Sequence, residues 1–463
     1  MNRYTSRTSP RRAVSSYSSL KKGFTIVELI VVVVVVGIIA GIVIVAYNGV
    51  SKNATEVSMK SDLDNAATQL AMDSKRNNGV FPYTAASANG GKGLVTSQGN
   101  TFAYSTKSYG YCVSISNSKT TKVFSIKASN PTKIEEAPCT IDVTTFAGAC
   151  GVWGDNDGMG PAAGFGGPYG IAVDAADNVY VADRGTVKVR KITPAGVSTV
   201  LAGTGGTGDA NGSGATATFR GLAHLDVDAA GTVYVAEDGG HRIRKITSAG
   251  VVSVLAGSGV AGSAIGTGAA AQFRNPGGVA VDASGNIYVA DTGNHRIRMV
   301  TPAGVVSNYA GTGVAGATNG PIASAQFSSP DDIAIDAAGN LYVSDKGNYR
   351  VRIITPGGTV STLAGSTYGF TNATGTAAQF QWITGLDVDS SGNVYVVEEY
   401  PGNKVRMITP GGVVTTYAGT GTSGCIDGIP TVARFSAPHA VAVDSLGKLY
   451  VADYDNFVIR KIE

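Results

Sequence analysis

The chain has 463 residues, 63 of them glycine, and carries a formal net charge of +3 with only 15% charged residues. That length exceeds one typical domain, and the glycine content demands many tight turns. Residues 1–23 hold six of the 36 basic side chains and none of the 33 acidic ones, which leaves 30 basic against 33 acidic, a net of −3, beyond them. The basic excess is therefore an N-terminal feature, and nothing in the body of the chain argues for binding nucleic acid.

Lys21-Lys22-Gly23 leads directly into Phe24-Thr25-Ile26-Val27-Glu28, and from Leu29 to Ala46 no side chain is charged or polar. Those 18 residues are near the minimum for a membrane-spanning helix. Lipid enforces a helix despite the abundance of Val and Ile. Gly37 and Gly41 are spaced to let another helix approach closely. Glu28 is the anomaly, because an acid inside an apolar segment is costly and usually meets a partner. Basic pair, glycine, phenylalanine, glutamate and apolar helix together resemble the N-terminus of type IV prepilins. The resemblance implies that residues 1–23 are a leader and that a prepilin peptidase cuts between Gly23 and Phe24. It implies N-methylation of Phe24 and a contact between Glu28 and the N-terminal amine of a neighbouring pilin. It also implies a precursor in the cytoplasmic membrane and then an extracellular pilus.

Residues 48–76 contain no proline, and Val57, Leu63, Ala67 and Leu70 fall near helical spacing. The pilin helix is expected over 24–76, ending at Asn77-Asn78-Gly79 before Pro82. Tyr109–Ser116 and Lys122–Ala128 alternate around the polar turn Asn117–Thr121, which predicts a hairpin. Residues 77–143 read as a small pilin head, a long helix packed on a small antiparallel sheet.

From residue 144 a period of about 54 dominates. Tyr180, Tyr234, Tyr288, Tyr342, Tyr395 and Tyr450 each open a Tyr-Val-x-acid run, at spacings of 54, 54, 54, 53 and 55. Each repeat holds four strand-like pieces joined in part by tight turns such as Ser284-Gly285 and Pro302-Ala303-Gly304. Four-stranded sheets repeated radially make a β-propeller. The Pro-x-Gly, Val-Asp, Gly-Asn, Tyr-Val-Ala-Asp and Arg-Ile-Arg text is similar to NHL repeats. The expected architecture is multi-domain: a long helix with a small antiparallel sheet, then an all-β six-bladed propeller over 144–463. Thr144–Gly148 matches Thr415–Gly419, and the sixth repeat lacks a fourth strand. The first strand should therefore complete the last blade and remove an exposed edge.

Residues present in every repeat serve the fold. Arg190, Arg244, Arg298, Arg352, Arg406 and Arg460 recur, as do the acids Asp183, Glu237, Asp291, Asp345, Glu398 and Asp453. They predict a charge-assisted hydrogen bond within each blade, the alternative being a six-fold basic ligand surface. Asp174, Asp228, Asp282, Asp336, Asp389 and Asp444 fall before turns and suit turn stabilisation. Function is expected where the repeats differ, on the face that gathers the long Gly-rich loops. That face carries Trp153, Tyr169, Tyr368, Phe370, Trp382, Tyr400 and Tyr454, which either present aromatic surface to a ligand or plug gaps between loops. His224, Asp331, Asp332 and His439 start first strands and are the candidate metal or catalytic residues, by analogy with the six-bladed lactonases and gluconolactonases that carry central calcium. Asp155-Asn156-Asp157-Gly158 echoes a calcium loop without the later Glu and reads as a turn.

Four cysteines in a chain bound for the exterior argue for disulfides, with three possible pairings. The pilin resemblance implies Cys112–Cys139 in the head. Cys150 and Cys425 follow matching strands, which blade closure brings into adjacent blades, so they form the second expected pair. The whole reads as a minor pilin, at the filament tip, displaying a propeller that binds an extracellular glycan or surface protein. An extracellular propeller enzyme of lactonase or hydrolase type and a structural cap are the alternatives. Intact mass should place the mature N-terminus at Phe24, and Gly23→Arg should leave the leader attached; normal maturation of that variant would contradict the prepilin reading.

Overall fold

The computed structural model describes residues 57–63, 65–66 and 141–463, and the backbone of four strands between 100 and 135. Gly23, Phe24, Glu28, the apolar run and Cys139 lie outside the described residues, and among those described no helix is long and apolar enough to cross a membrane. Residues 57–63 and 65–66 are helical. Met59, Leu63 and Ala66, spaced by four and three, are its buried face. Val57, expected on that face, is 68% exposed instead.

Four strands follow: β1 (Asn100–Lys107), β2 (Gly110–Asn117), β3 (Val123–Lys127) and β4 (Asn130–Glu135). They form one antiparallel meander in the order β1-β2-β3-β4. The predicted hairpin is β2–β3, with Ser116 opposite Val123. Sequence reading missed β1, and it missed β4, where Pro131 and two charged residues mask a strand that sits at a sheet edge.

The rest is a six-bladed β-propeller. Blade one is Pro168–Val173, Val179–Asp183, Lys188–Ile192 and Val197–Ala202, running outward from the axis. Five of the six second strands are buried along their whole length, as Val179–Asp183 is, and the sixth is broken only at half-buried Tyr288, because neighbouring blades cover both faces. The apolar core accordingly lies between blades. One cluster joins Ile171, Val179 and Ile192 of blade one to Ala440, Tyr450 and Ile459 of blade six. The Tyr of the repeat marker has a structural cause. In blade one Asp174 accepts from the amides of Ala176 and Asn178, and the Tyr180 hydroxyl donates to its other oxygen at 3.0 Å. The same aspartate–tyrosine bond recurs in all six blades.

Closure follows the sequence expectation. β5 (Val143–Ala147) is the outer strand of blade six, with Thr145 opposite Arg460 and Val143 opposite Ile462. Val143 also exchanges backbone hydrogen bonds with Gly428 at 2.8 and 2.9 Å. Just beyond this strand a disulfide joins Cys150 to Cys425, with Cα atoms 6.0 Å apart and a sequence separation of 275. A loop that long makes the bond worth about 5–6 kcal/mol in the chain-entropy model.

The six recurring arginines are fully buried. In blades two to six each lies 2.8–3.1 Å from its blade acid. Each also bonds carbonyls of the long loop that leads into its own blade, as Arg352 does with Gln326 and Thr318. Asn319, Asn372 and Asp427 add side-chain oxygens from those loops. Each guanidinium further lies over a buried Phe, from 5.1 Å for Phe327 to 5.5 Å for Phe273. The predicted in-blade bond is thus one part of a wider clamp that ties loop to blade. Blade one differs. Asp183 takes Thr186 and the amides of Gly166 and Gly167, while Arg190 turns to Asp157 at 2.8 Å. Asp155 meanwhile pairs with Lys188 at 2.7 Å, so the calcium-like run serves as a loop anchor.

Removing one partner of a buried ion pair strands the other. Asp345→Ala should lower stability by about 3–5 kcal/mol in urea unfolding; a loss under about 1 kcal/mol would mean the arginine is satisfied without its acid.

Candidate functional site

Long loops and the turns between second and third strands meet on one face, where Asn294, Asn348 and Asn456 donate to the carbonyls of Gly262, Gly316 and Gly424. At its centre the first strands begin. Their spacing is close: a Cβ on Gly170 would stand 2.6 Å from the Cα of His224, and one on Gly385 2.5 Å from the Cα of Ala440. Glycine in alternate blades makes room for the side chains of the others.

His224, Asp331, Asp332 and His439 are all buried here. His224 Nδ1 lies 3.3 Å from Asp332. Asp331 pairs with Lys346 at 3.1 Å, and His439 Nε2 lies 3.6 Å from Glu399. Between the two histidines stands Tyr169, stacked on His439 at 4.1 Å and edge-on to His224 at 5.4 Å. Tyr454 packs against both Tyr169 and His439. Arg184 covers Tyr169 at 4.9 Å and pairs with Asp238 at 2.8 Å.

The predicted residues are therefore together, with both carboxylates and one nitrogen of each imidazole set against partners. Among the described residues no three His, Cys, Asp or Glu side chains are arranged to hold a metal ion. Asp332 Oδ2 accepts the Leu386 amide of the next blade at 3.1 Å. Asp226 and Asp387 bridge blades in the same manner, to Val281 and Val443, each at 2.8 Å. These three carboxylates staple first strands around the axis. Burial pushes Asp226 up to about 6, Asp387 up to about 7 and Asp332 well above the ordinary range. Burial acts oppositely on the imidazoles, pushing His224 down to about 4 and His439 down to about 3. Asp331 sits low, because Lys346 and the histidines outweigh its burial. His224 Nε2, His439 Nδ1 and Thr384 Oγ1 are buried without a hydrogen-bond partner.

The aromatic candidates divide. Tyr169 and Tyr454 are half-buried parts of the axial mouth. Trp153, Tyr368, Phe370, Trp382 and Tyr400 are between 41 and 67% exposed. Tyr368 and Trp382 flank Tyr349 at 5.5 and 5.9 Å, while Trp153 stands apart in the first loop, bridged to Phe165. The Glu399 amide donates to the Trp382 carbonyl at 2.9 Å, which sets this crescent beside the mouth. Sequence reasoning missed Arg184, Asp238, Lys346 and Glu399. A signal existed: the residue after the blade acid is Arg184, Asp238, Thr292, Lys346, Glu399 or Tyr454, variable beside a neighbour that is always acidic.

A model of the prokaryotic N-terminal methylation motif matches residues 18–44, and a model of the NHL repeat matches 273–298, 327–354 and 435–462. Teneurin-4 of Mus musculus is 29% identical over 222 residues, 42% of this chain and 8% of that protein. NHL repeat-containing protein 2 of Homo sapiens is 25% identical over 339 residues, 64% of this chain and 46% of that one. This chain thus spans less than half the length of either. An auxiliary nutrient binding protein of Bacteroides ovatus has a similar structure, with TM-score 0.54 and 18% identity over 78% of this chain and 85% of that one; at that identity the likeness speaks to the fold. The chain carries a prepilin methylation motif and an NHL-repeat, six-bladed propeller.

The two imidazoles give the site a pH signature. An unfolded chain takes up protons at histidine below about 6.5, whereas the folded mouth resists them down to about 4 and 3. Each therefore removes stability as pH falls through that window, against the stapling aspartates, whose protonation adds it. His439→Gln should lose less stability than the parent between pH 7 and 4.5 in urea titrations; equal losses would contradict a neutral, buried His439.

Proposed function

We propose that this protein is a minor type IV pilus subunit that carries its propeller at the filament tip as an adhesin for an extracellular glycan or protein. The observation that carries the reading is the methylation motif joined, in one chain, to a closed propeller with exposed aromatic rings around its mouth. The motif implies a prepilin peptidase, pilin partners, a membrane-anchored precursor and an extracellular filament. Tip placement follows from size. Pilin helices pack closely, and a compact body of about 320 residues at every subunit would clash, since packed domains do not interpenetrate. Glu28 keeps the contact by which such a subunit joins its neighbours. The linker from Cys139 to Thr144 is only a few residues long, so interior placement with the propeller hanging sideways requires that linker to flex.

A second reading, an extracellular enzyme working at the mouth, is favoured by the two unpartnered imidazoles alone. Turnover lost in His224→Ala would support it. For the adhesin, immunogold labelling with antibody to the propeller should mark filament ends, and deletion of residues 144–463 should abolish attachment while pili persist. Regular labelling of the shaft at major-pilin density would refute tip placement, and undiminished attachment would refute the adhesin.

A further inference from the structure

We propose that the axial mouth receives an uncharged, hydroxyl-bearing sugar unit of a glycan, with the adjoining unit lying on Trp382 and Tyr400; this rests on the display reading above and names its ligand. His224 and His439 are 2 and 7% exposed, and each leaves one ring nitrogen unpartnered beside Tyr169. The other nitrogens, His224 Nδ1 and His439 Nε2, face Asp332 and Glu399. Whichever tautomer results, the unpartnered nitrogen needs a partner that donates in one case and accepts in the other. A hydroxyl does both, a carboxylate only accepts and an ammonium only donates.

Charge points the same way. Both cations at the mouth are committed, Arg184 to Asp238 and the Leu222 carbonyl, and Lys346 to Asp331 and Glu399. An anionic ligand would have to displace one of these acids, and a cationic one would have to displace a base. A neutral ligand displaces neither.

Stacking must come from outside the mouth, because Tyr169 is already covered by His439 and Arg184. Trp382 and Tyr400, 41 and 67% exposed, flank the Glu399 that touches His439. Their rings offer flat apolar faces to the C–H side of a pyranose. A ligand of two or more units spans both features.

The test uses the mature full-length protein in a detergent without a sugar headgroup. Isothermal titration with a panel of uncharged hexose disaccharides and trisaccharides should show saturable binding, and the uronic-acid counterparts should bind at least about tenfold more weakly. Trp382→Ala and His439→Gln should each weaken binding about tenfold; Trp382 is exposed, so its variant keeps the fold if the first fails. Binding to no neutral sugar, equal binding of the acids, or unchanged affinity in Trp382→Ala overturns the proposal. Attachment that is lost with the propeller yet not competed by these sugars also overturns it while leaving the display reading intact; attachment that survives propeller deletion removes the display reading instead.

Discussion

A guanidinium taken out of water costs several kcal/mol unless acids, carbonyls and aromatic faces replace its solvent. This propeller buries six of them, each over a phenylalanine; five also meet their blade acid, as Arg352 meets Asp345 and Phe327, and Arg190 of blade one turns to Asp157 instead. The requirement for replacement solvent is what organises the loops. Carbonyls of the segment entering each blade must turn inward to the arginine, so the segment is held at two or three points whatever its remaining residues are. A short strand or bridge from that segment also pairs with the blade's outer strand, as Gly320–Pro321 does with Thr359 and Val360, and blunts an exposed edge. The middle of each loop is then free to vary without cost to the ring.

That division explains why binding groups gather on one face. The opposite face spends its aspartates on turns, and its geometry repeats from blade to blade. On the loop face the same register positions carry different chemistry: Tyr169, Asp331, Thr384 and His439 at one, Arg184, Asp238, Lys346 and Glu399 at another. The fold holds each position in place, and the axis brings blades far apart in sequence into contact. His224 of blade two meets Asp332 of blade four, and Tyr169 of blade one meets His439 of blade six. A mouth built in this way is asymmetric although its scaffold is nearly six-fold.

Much of this was legible from the spacing of Tyr-Val-x-acid, because a period in sequence becomes a rotation in space. The recurring arginines and acids, the strand swap at closure and the Cys150–Cys425 pair all follow from aligning the repeats. The phenylalanines beneath the arginines, Phe165 to Phe435, obey the same spacing and were overlooked because they lie in loops that otherwise look irregular. Asp226 and Asp387 were hidden for another reason. Leu-Asp-Val-Asp in blades two and five puts Asp where the Val-Ala-Val-Asp of blades three and six has Ala, and only the packed axis shows that the extra acid reaches the next blade's backbone. Partners across the axis have no local signature, so which charges neutralise which was not readable.

The connectivity at residue 142 also sets the route of mechanical load. The chain that carries the N-terminal motif enters the propeller through the outermost strand of blade six, β5, which pairs with the end of the chain at Ile462 and Glu463. A pull from that side that detaches β5 must break its ladder to Ile459–Ile462. It cannot proceed past Cys150, because there a covalent bond hands the load to Cys425, between blades five and six. Only the residues from Val143 to Ala149 can yield first. The remaining blades are shielded, and the mouth keeps its shape under a force that has already stripped the seam.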